Sequence, residues 1–154
     1  MTTAPQPTSA LITGGNKGLG LETACRLGEQ GWTIFLGSRD RGRGQTAADQ
    51  LTARGVDVTM IPLDVTSDRS VADAVNLVRQ HTDRLDVLVN NAGAAGAIMA
   101  PAEATVEEVH SVYNTNVYGP IRVTNAFLPL LRVADNPRQR AALATPRSRL
   151  SFIE

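Results

Sequence analysis

The chain has 154 residues, 42% of them hydrophobic and 19% charged, a composition that supports a buried core and excludes a disordered polypeptide. Its 15 basic residues balance 15 acidic ones, so no net field draws it to nucleic acid or to an anionic membrane, and a small molecule is the expected partner. The single cysteine allows no internal disulfide, no apolar run approaches the ~18 residues of a membrane helix, and MTTAPQPTS carries no basic segment followed by an apolar core; a soluble, cytoplasmic protein is expected.

Strand and helix signals alternate from the first element onward. Ala10, Leu11 and Ile12 form a short apolar run that predicts a buried strand, and Leu21, Ala24, Cys25 and Gly28 recur at the spacing of a buried helical stripe. Cys25 is expected to pack in that stripe, with a reactive thiol as the alternative. Between them lies TGGNKGLG, Thr13 to Gly20. A strand that turns sharply into a helix while its N–H groups face an anion needs residues without a Cβ and tolerant of positive φ, and Gly14, Gly18 and Gly20 meet that need. The helix then offers unpaired N–H groups and its positive dipole end to a pyrophosphate.

Thr33 to Leu36 predicts a second strand and Arg41 to Arg54 a second helix closed by Gly55. Val56 to Leu63 reads as a third strand, followed by a helix capped by Ser67 or Asp68 with the stripe Val71, Ala74, Val75 and Val78. Val87 to Asn90 reads as a fourth strand. Thr105 and Glu108 form a capping box for a long fourth helix carrying Val109, Val112, Tyr113, Asn116 and Val117 along one apolar face. The alternation is that of βαβ units and predicts an α/β fold with a parallel sheet. It stops after Arg132. Residues 133–154 hold four arginines and two prolines without sustained period, and only Leu150 to Ile153 reads as a strand.

Over roughly its first 130 residues the chain resembles the classical short-chain dehydrogenase/reductase family, most closely its carbonyl-reductase-like branch. TGGNKGLG fits the family's TGxxxGxG turn, Asp64 stands in LDVT after the third strand, Asn90, Asn91, Ala92 and Gly93 reproduce NNAG, and Asn116, Val117, Tyr118 and Gly119 match NVxG. The resemblance implies a Rossmann-type doubly wound parallel sheet, here incomplete, with about four strands in a partial NAD(P)-binding domain over residues 1–132 and an atypical tail over 133–154. It further implies cofactor contacts from Gly14, Asn16, Lys17, Gly18, Leu19 and Gly20, from Asp64 and Val65 at adenine, and from Asn90, Asn91, Ala92 and Gly93. Asn116 is implied as the catalytic asparagine, and no metal is expected.

Ligands of open parallel sheets bind beyond the carboxyl ends of the strands, where Gly14, Ser38, Asp64 and Asn90 all fall. Asp64 has a plainer reading as a turn or cap residue, and NNAG as a turn after a buried strand. At the end of the second strand an acid would bind a ribose 2′-hydroxyl, whereas this chain reads Ser38 and Arg39, a guanidinium suited to a 2′-phosphate. With Lys17 nearby, the expected cofactor is NADP rather than NAD; the alternative has Arg39 solvated and Asp40 serving ribose. Asn116 on an apolar face needs fixed partners for its amide. Pro120, four residues on, has no N–H for the Asn116 carbonyl, which is then open to hold a water in the family's proton relay or simply marks a kink.

The family's remaining chemistry, a serine on the next strand and a tyrosine and lysine in YxxxK, does not occur in these residues. Lys17 is the only lysine. Tyr118 and Arg122 imitate the spacing on the wrong helix, and arginine does not release a proton; packing or a dimer contact is the plainer role for Tyr118. Ser148 and Ser151 lie near the expected position of the serine without its context. His81 and His110 lack metal-ligand spacing. Three readings stand: an NADP-dependent oxidoreductase of a carbonyl or alcohol that lacks its own catalytic groups, a non-catalytic NADP-binding or heterodimerising subunit, and a truncated product without function whose frame shifts near Asn136 to Gln139. A homo- or hetero-oligomer is compatible with the first two.

Overall fold

The computed structural model describes residues 7–96, 103–134, 142–143 and 151–152. Its elements in chain order are β1 (Ser9–Ile12), α1 (Gly18–Glu29), β2 (Thr33–Ser38), α2 (Arg41–Ala53), β3 (Val58–Pro62), α3 (Asp68–Arg79), β4 (Val87–Asn90) and α4 (Val106–Tyr113). A π-helical turn (Asn114–Tyr118) leads into α5 (Gly119–Leu131), and two short strands follow, β5 (Ala142–Leu143) and β6 (Ser151–Phe152).

The strands lie side by side in the order β3-β2-β1-β4-β5-β6. All pairs are parallel except β5 with β6. Alternation along each strand sends successive side chains to opposite faces. Ala10, Ile12, Ile34, Leu36 and Val89 pack with Ala24 and Cys25 of α1 and Ala47, Ala48 and Leu51 of α2. Leu11, Phe35, Ile61 and Leu88 meet Val71, Ala74, Val75 and Val78 of α3 and Val123, Phe127, Leu130 and Leu131 of α5 on the other face. This is the doubly wound Rossmann arrangement, with helices on both sides of a mostly parallel sheet. Ile12 pairs with both Leu36 and Val89, so the chain leaves β1, β2 and β4 at one level and one edge.

Three expectations shift in detail. The third strand begins at Val58 rather than Val56, because the Val56 N–H returns to the Leu51 carbonyl (3.1 Å) and its side chain fills the space above Gly28, where a Cβ would stand 2.2 Å from Val56 Cγ1. The long fourth helix is broken: with no N–H at Pro120, the Gly119 N–H reaches back five residues to the Asn114 carbonyl, and the π-turn inserts an extra residue that changes the helical phase. The face expected to be apolar and packed is therefore split: Val109, Tyr113 and Val117 are exposed at 47%, 50% and 41% while Val112 and Asn116 are half-buried, and of the two halves of this helix only α5 contributes buried residues to the core. Finally, β4 does not end the sheet, since Val89 and Asn90 pair with Ala142 and Leu143. The strand expected within Leu150 to Ile153 is observed as Ser151–Phe152; Ser148, Leu150, Ile153 and the segment Asn136 to Gln139 lie outside the described residues. No helix among the described residues is long and apolar enough to cross a membrane, and no group of three His, Cys, Asp or Glu there could hold a metal.

Candidate functional site

The glycine turn sits where the chain order reverses, between β1 and β4. Gly14 and Gly18 adopt φ of +63° and +58°, left-handed values that favour glycine. A Cβ on Gly14 would lie 2.9 Å from Ala92 Cα, whereas around Gly18 nothing lies within 4 Å. Close packing and positive φ together require glycine at position 14, whereas at Gly18 the left-handed φ alone favours it and the space before the helix is open.

Thr13 locks this turn to the chain leaving β4. Its Oγ1 accepts from the N–H groups of Asn91 (3.0 Å) and Ala92 (2.9 Å), and its own N–H donates to the Val89 carbonyl at 3.0 Å. The Asn91 side-chain amide donates to the carbonyls of Thr13 and Gly14, both at 3.0 Å. A Cβ on Gly20 would stand 2.4 Å from that Asn91 nitrogen. The amide of Asn91 is thus engaged in shaping the turn rather than directed outward. Asn16 is half-buried, Lys17 and Gly93 are exposed, and Leu19 is 70% exposed at the helix mouth.

The helix ends differ in a way that bears on ligands. The Asp40, Ser67 and Thr105 side chains accept from backbone N–H groups at the starts of α2, α3 and α4. Lys17 at the start of α1 makes no such bond. First-turn N–H groups have no partner within their helix, so α1 keeps its donors and positive dipole end open to an anion. The residues present fit a pyrophosphate.

At the end of β2, Ser38 is 1% exposed and its hydroxyl donates to the Asp40 carbonyl at 2.7 Å. Asp40 is committed to its own helix, with Oδ1 accepting from the Arg43 N–H at 2.9 Å and Oδ2 lying 3.5 Å from Arg43 Nε. Arg39 is exposed and has no ion pair among the described residues. At the end of β3, Asp64 is half-buried and its Oδ1 accepts from both the N–H (2.9 Å) and hydroxyl (2.7 Å) of Thr66, while the Asp64 N–H donates to Ser70 Oγ at 2.9 Å. Its Oδ2 has no hydrogen bond among the described residues. Val65 beside it is buried.

Asn90 is 3% exposed and donates through Nδ2 to Thr124 Oγ1 at 3.2 Å. Asn116 on the π-turn clamps the loop beyond it: Oδ1 accepts from the Ala94 N–H at 2.8 Å and Nδ2 donates to the Ala94 carbonyl at 2.9 Å. Its amide has the fixed partners expected, although the reason is the loop and not a buried apolar face. Tyr118 is half exposed and its ring lies 6.5 Å from that of Tyr113, while the Arg122 guanidinium turns away to Val65, Asp68 and Asn114. Cys25 is buried, and desolvation, aided by its hydrogen bond to Glu29, pushes the thiol upward. His81 is exposed and touches the Phe35 ring.

Sequence reasoning missed Thr13 and Thr124 as partners of the two asparagines. Thr13 stands at the head of TGGNKGLG, and its hydroxyl was a signal; the pairing of Asn90 with Thr124 spans 34 residues and left none.

Sheet order, crossover helices and the glycine turn together define a Rossmann-type α/β protein. The short chain dehydrogenase family model matches residues 8–140, and the chain belongs to that family. It is 37% identical over 151 residues to Short-chain dehydrogenase/reductase 1 of Saponaria officinalis, covering 84% of this chain and 50% of the relative. It is 36% identical over 126 residues to Carbonyl reductase [NADPH] 1 of Pongo abelii, covering 80% and 44%. Among solved structures, a variant of actinorhodin polyketide ketoreductase with NADPH superposes with a TM-score of 0.82 at 34% identity, covering 89% of this chain and 52% of that one. The chain spans about half the length of the relatives it matches.

Proposed function

We propose that this chain is the NADP-binding part of a short-chain oxidoreductase that interconverts a carbonyl and an alcohol. The observation that carries the proposal is the uncapped start of α1 behind Gly18, at the carboxyl edge where β1 and β4 diverge. In this reading the N–H groups from Gly18 to Gly20, with Asn16, Lys17 and Leu19 around them, hold the pyrophosphate. Arg39 and Lys17 face the ribose 2′-phosphate, and Ser38 leaves room where an acid would repel it. Asp40, already capping α2, has less to offer a ribose, which favours NADP over NAD.

Asp64, through the Oδ2 that has no hydrogen bond among the described residues, and Val65 receive adenine. Asn90, Asn91, Ala92 and Gly93 form the wall opposite the turn. NADPH, once bound, supplies the hydride. Asn116 holds the loop after β4 through Ala94, and its backbone carbonyl, without an N–H from Pro120, is available to hold a water for proton delivery. The proton donor itself is absent from these 154 residues, which contain one lysine and no YxxxK. Turnover therefore requires groups from outside them.

A second reading, a non-catalytic NADP-binding or heterodimerising subunit, draws on the exposed apolar residues Val109, Tyr113, Val117 and Ile121. A fluorescence titration with NADPH and NADH tests both: saturable binding tighter for NADPH is expected, and absence of NADPH binding would refute either. Carbonyl reduction by the purified chain alone would overturn the assignment of the proton donor to an outside segment.

A further inference from the structure

Arg122 joins three segments that the proposed function treats separately. It lies four residues into α5, with its side chain 22% exposed. Nη1 donates to the Val65 carbonyl at 2.7 Å, Nε donates to Asp68 Oδ1, and Nη2 reaches Asn114 Oδ1 at 3.5 Å. Val65 follows Asp64, Asp68 is the first residue of α3, and Asn114 opens the π-turn two residues before Asn116. One side chain therefore ties the loop after β3 to the turn that clamps the loop after β4.

A second contact brings the same parts together. A Cβ on Gly119 would stand 2.9 Å from Val65 Cγ2, so the start of α5 touches Val65 with no room for a side chain. The loop is pressed against α5 at Gly119 and held there at Arg122. A planar fork suits this position, because the carbonyl and the carboxylate lie in different directions and an ammonium is a single point charge. The guanidinium makes no bond to Asp64, whose carboxylate turns to Thr66. It leaves the proposed adenine contact free and acts on the backbone beside it.

We infer that Arg122 is a positioning residue for the adenine end of the cofactor site, acting through Val65 and Asp68. The inference rests on the NADP-binding reading above. It is tested with Arg122→Gln and Arg122→Lys in the whole chain, titrated with NADPH and with adenosine 2′,5′-bisphosphate, while hydrogen exchange is followed in residues 64–70 and, as a control, in β1 and β2.

The glutamine variant should bind both compounds roughly tenfold more weakly, the factor that corresponds to one hydrogen bond to a charged group. Exchange should quicken in 64–70 and not in the control strands. The lysine variant keeps the charge and the stem, so it should fold even where glutamine does not, and it should recover part of the affinity. Wild-type affinity in Arg122→Gln, or a loss confined to NADPH and absent for adenosine 2′,5′-bisphosphate, would overturn the inference while leaving the NADP reading intact. A wild-type chain that binds no NADPH would instead overturn that reading, and the inference with it.

Discussion

Gly20→Ala probes the joint between the glycine turn and the β4 loop directly. The new methyl would meet Asn91 Nδ2 at 2.4 Å and the Gly14 carbonyl at 2.8 Å. Forcing a methyl into such a contact costs about 1–3 kcal/mol. If Asn91 yields, its bonds to the Thr13 and Gly14 carbonyls are lost at about 1 kcal/mol each. Alanine returns up to ~1 kcal/mol through its better helix propensity. The expected net loss is about 2–4 kcal/mol, a large fraction of the ~5–15 kcal/mol that holds a native protein together.

The mechanism is separable from generic damage by a double-mutant cycle. Asn91→Ala alone loses the two bonds but leaves space beside residue 20. Gly20→Ala added to it meets only the Gly14 carbonyl, so the double variant should be less destabilised than the sum of the singles by about 1–2 kcal/mol. Urea unfolding midpoints of the four proteins, at equal m-values, supply the cycle. Additivity within about 0.5 kcal/mol would refute the claim that Asn91 and Gly20 share one space.

Three further outcomes follow from single groups. Burial and the bond to Glu29 hold the Cys25 thiol above its ordinary value of 9.0, so the unfolded chain gives up this proton first; the associated stability is full below pH 9 and falls as pH climbs through the folded value. Urea midpoints at pH 8 and 10 should drop further for wild type than for Cys25→Ala, and parallel drops would contradict this. Asp86, 8% exposed, accepts from the Ser9 N–H (2.8 Å) and hydroxyl (3.1 Å) with Arg84 Nε at 3.6 Å; Asp86→Ala should cost about 3 kcal/mol and lower the melting temperature, with Asp86→Asn milder because its amide oxygen still accepts. Asn116→Ala should lose about 1–2 kcal/mol and raise exchange in residues 92–96; Asn116→Asp should not rescue it, since a carboxylate has no donor for the Ala94 carbonyl.

Local chemistry was legible in the chain, and long-range geometry was not. The Thr105–Glu108 box forms both of its reciprocal bonds, and the stripe Val71, Ala74, Val75, Val78 is the buried set of α3, because each depends on residues within a turn or two. The π-turn depends on Pro120 removing one donor and on Asn116 finding Ala94 22 residues away. Periodicity carries the first signal weakly and the second not at all, so only Val112 and Asn116 of the expected face are half-buried while Val109, Tyr113 and Val117 are exposed. The spacing of Arg122 from Tyr118, four residues on a shared helix face, suggests a charge beside the ring; its partners Val65 and Asp68 instead lie in the loop after β3 and at the start of α3.

The polar side chains around the carboxyl edge divide into two groups by where their bonds go. Thr13, Ser38, Asp40, Asn90, Asn91 and Asn116 are engaged with the protein itself, mostly with backbone. The groups without a hydrogen bond or ion pair among the described residues are Lys17, Arg39, the Oδ2 of Asp64 and the first N–H groups of α1. A missing cap costs a helix about 1 kcal/mol, and three neighbouring helices avoid that cost with Asp40, Ser67 and Thr105. Leaving α1 uncapped is a loss for the free chain that an anion at Gly18 would offset. The inward group shapes the edge; under the NADP-binding proposal the outward cations and the α1 N–H groups would meet the phosphates and Asp64 would meet adenine.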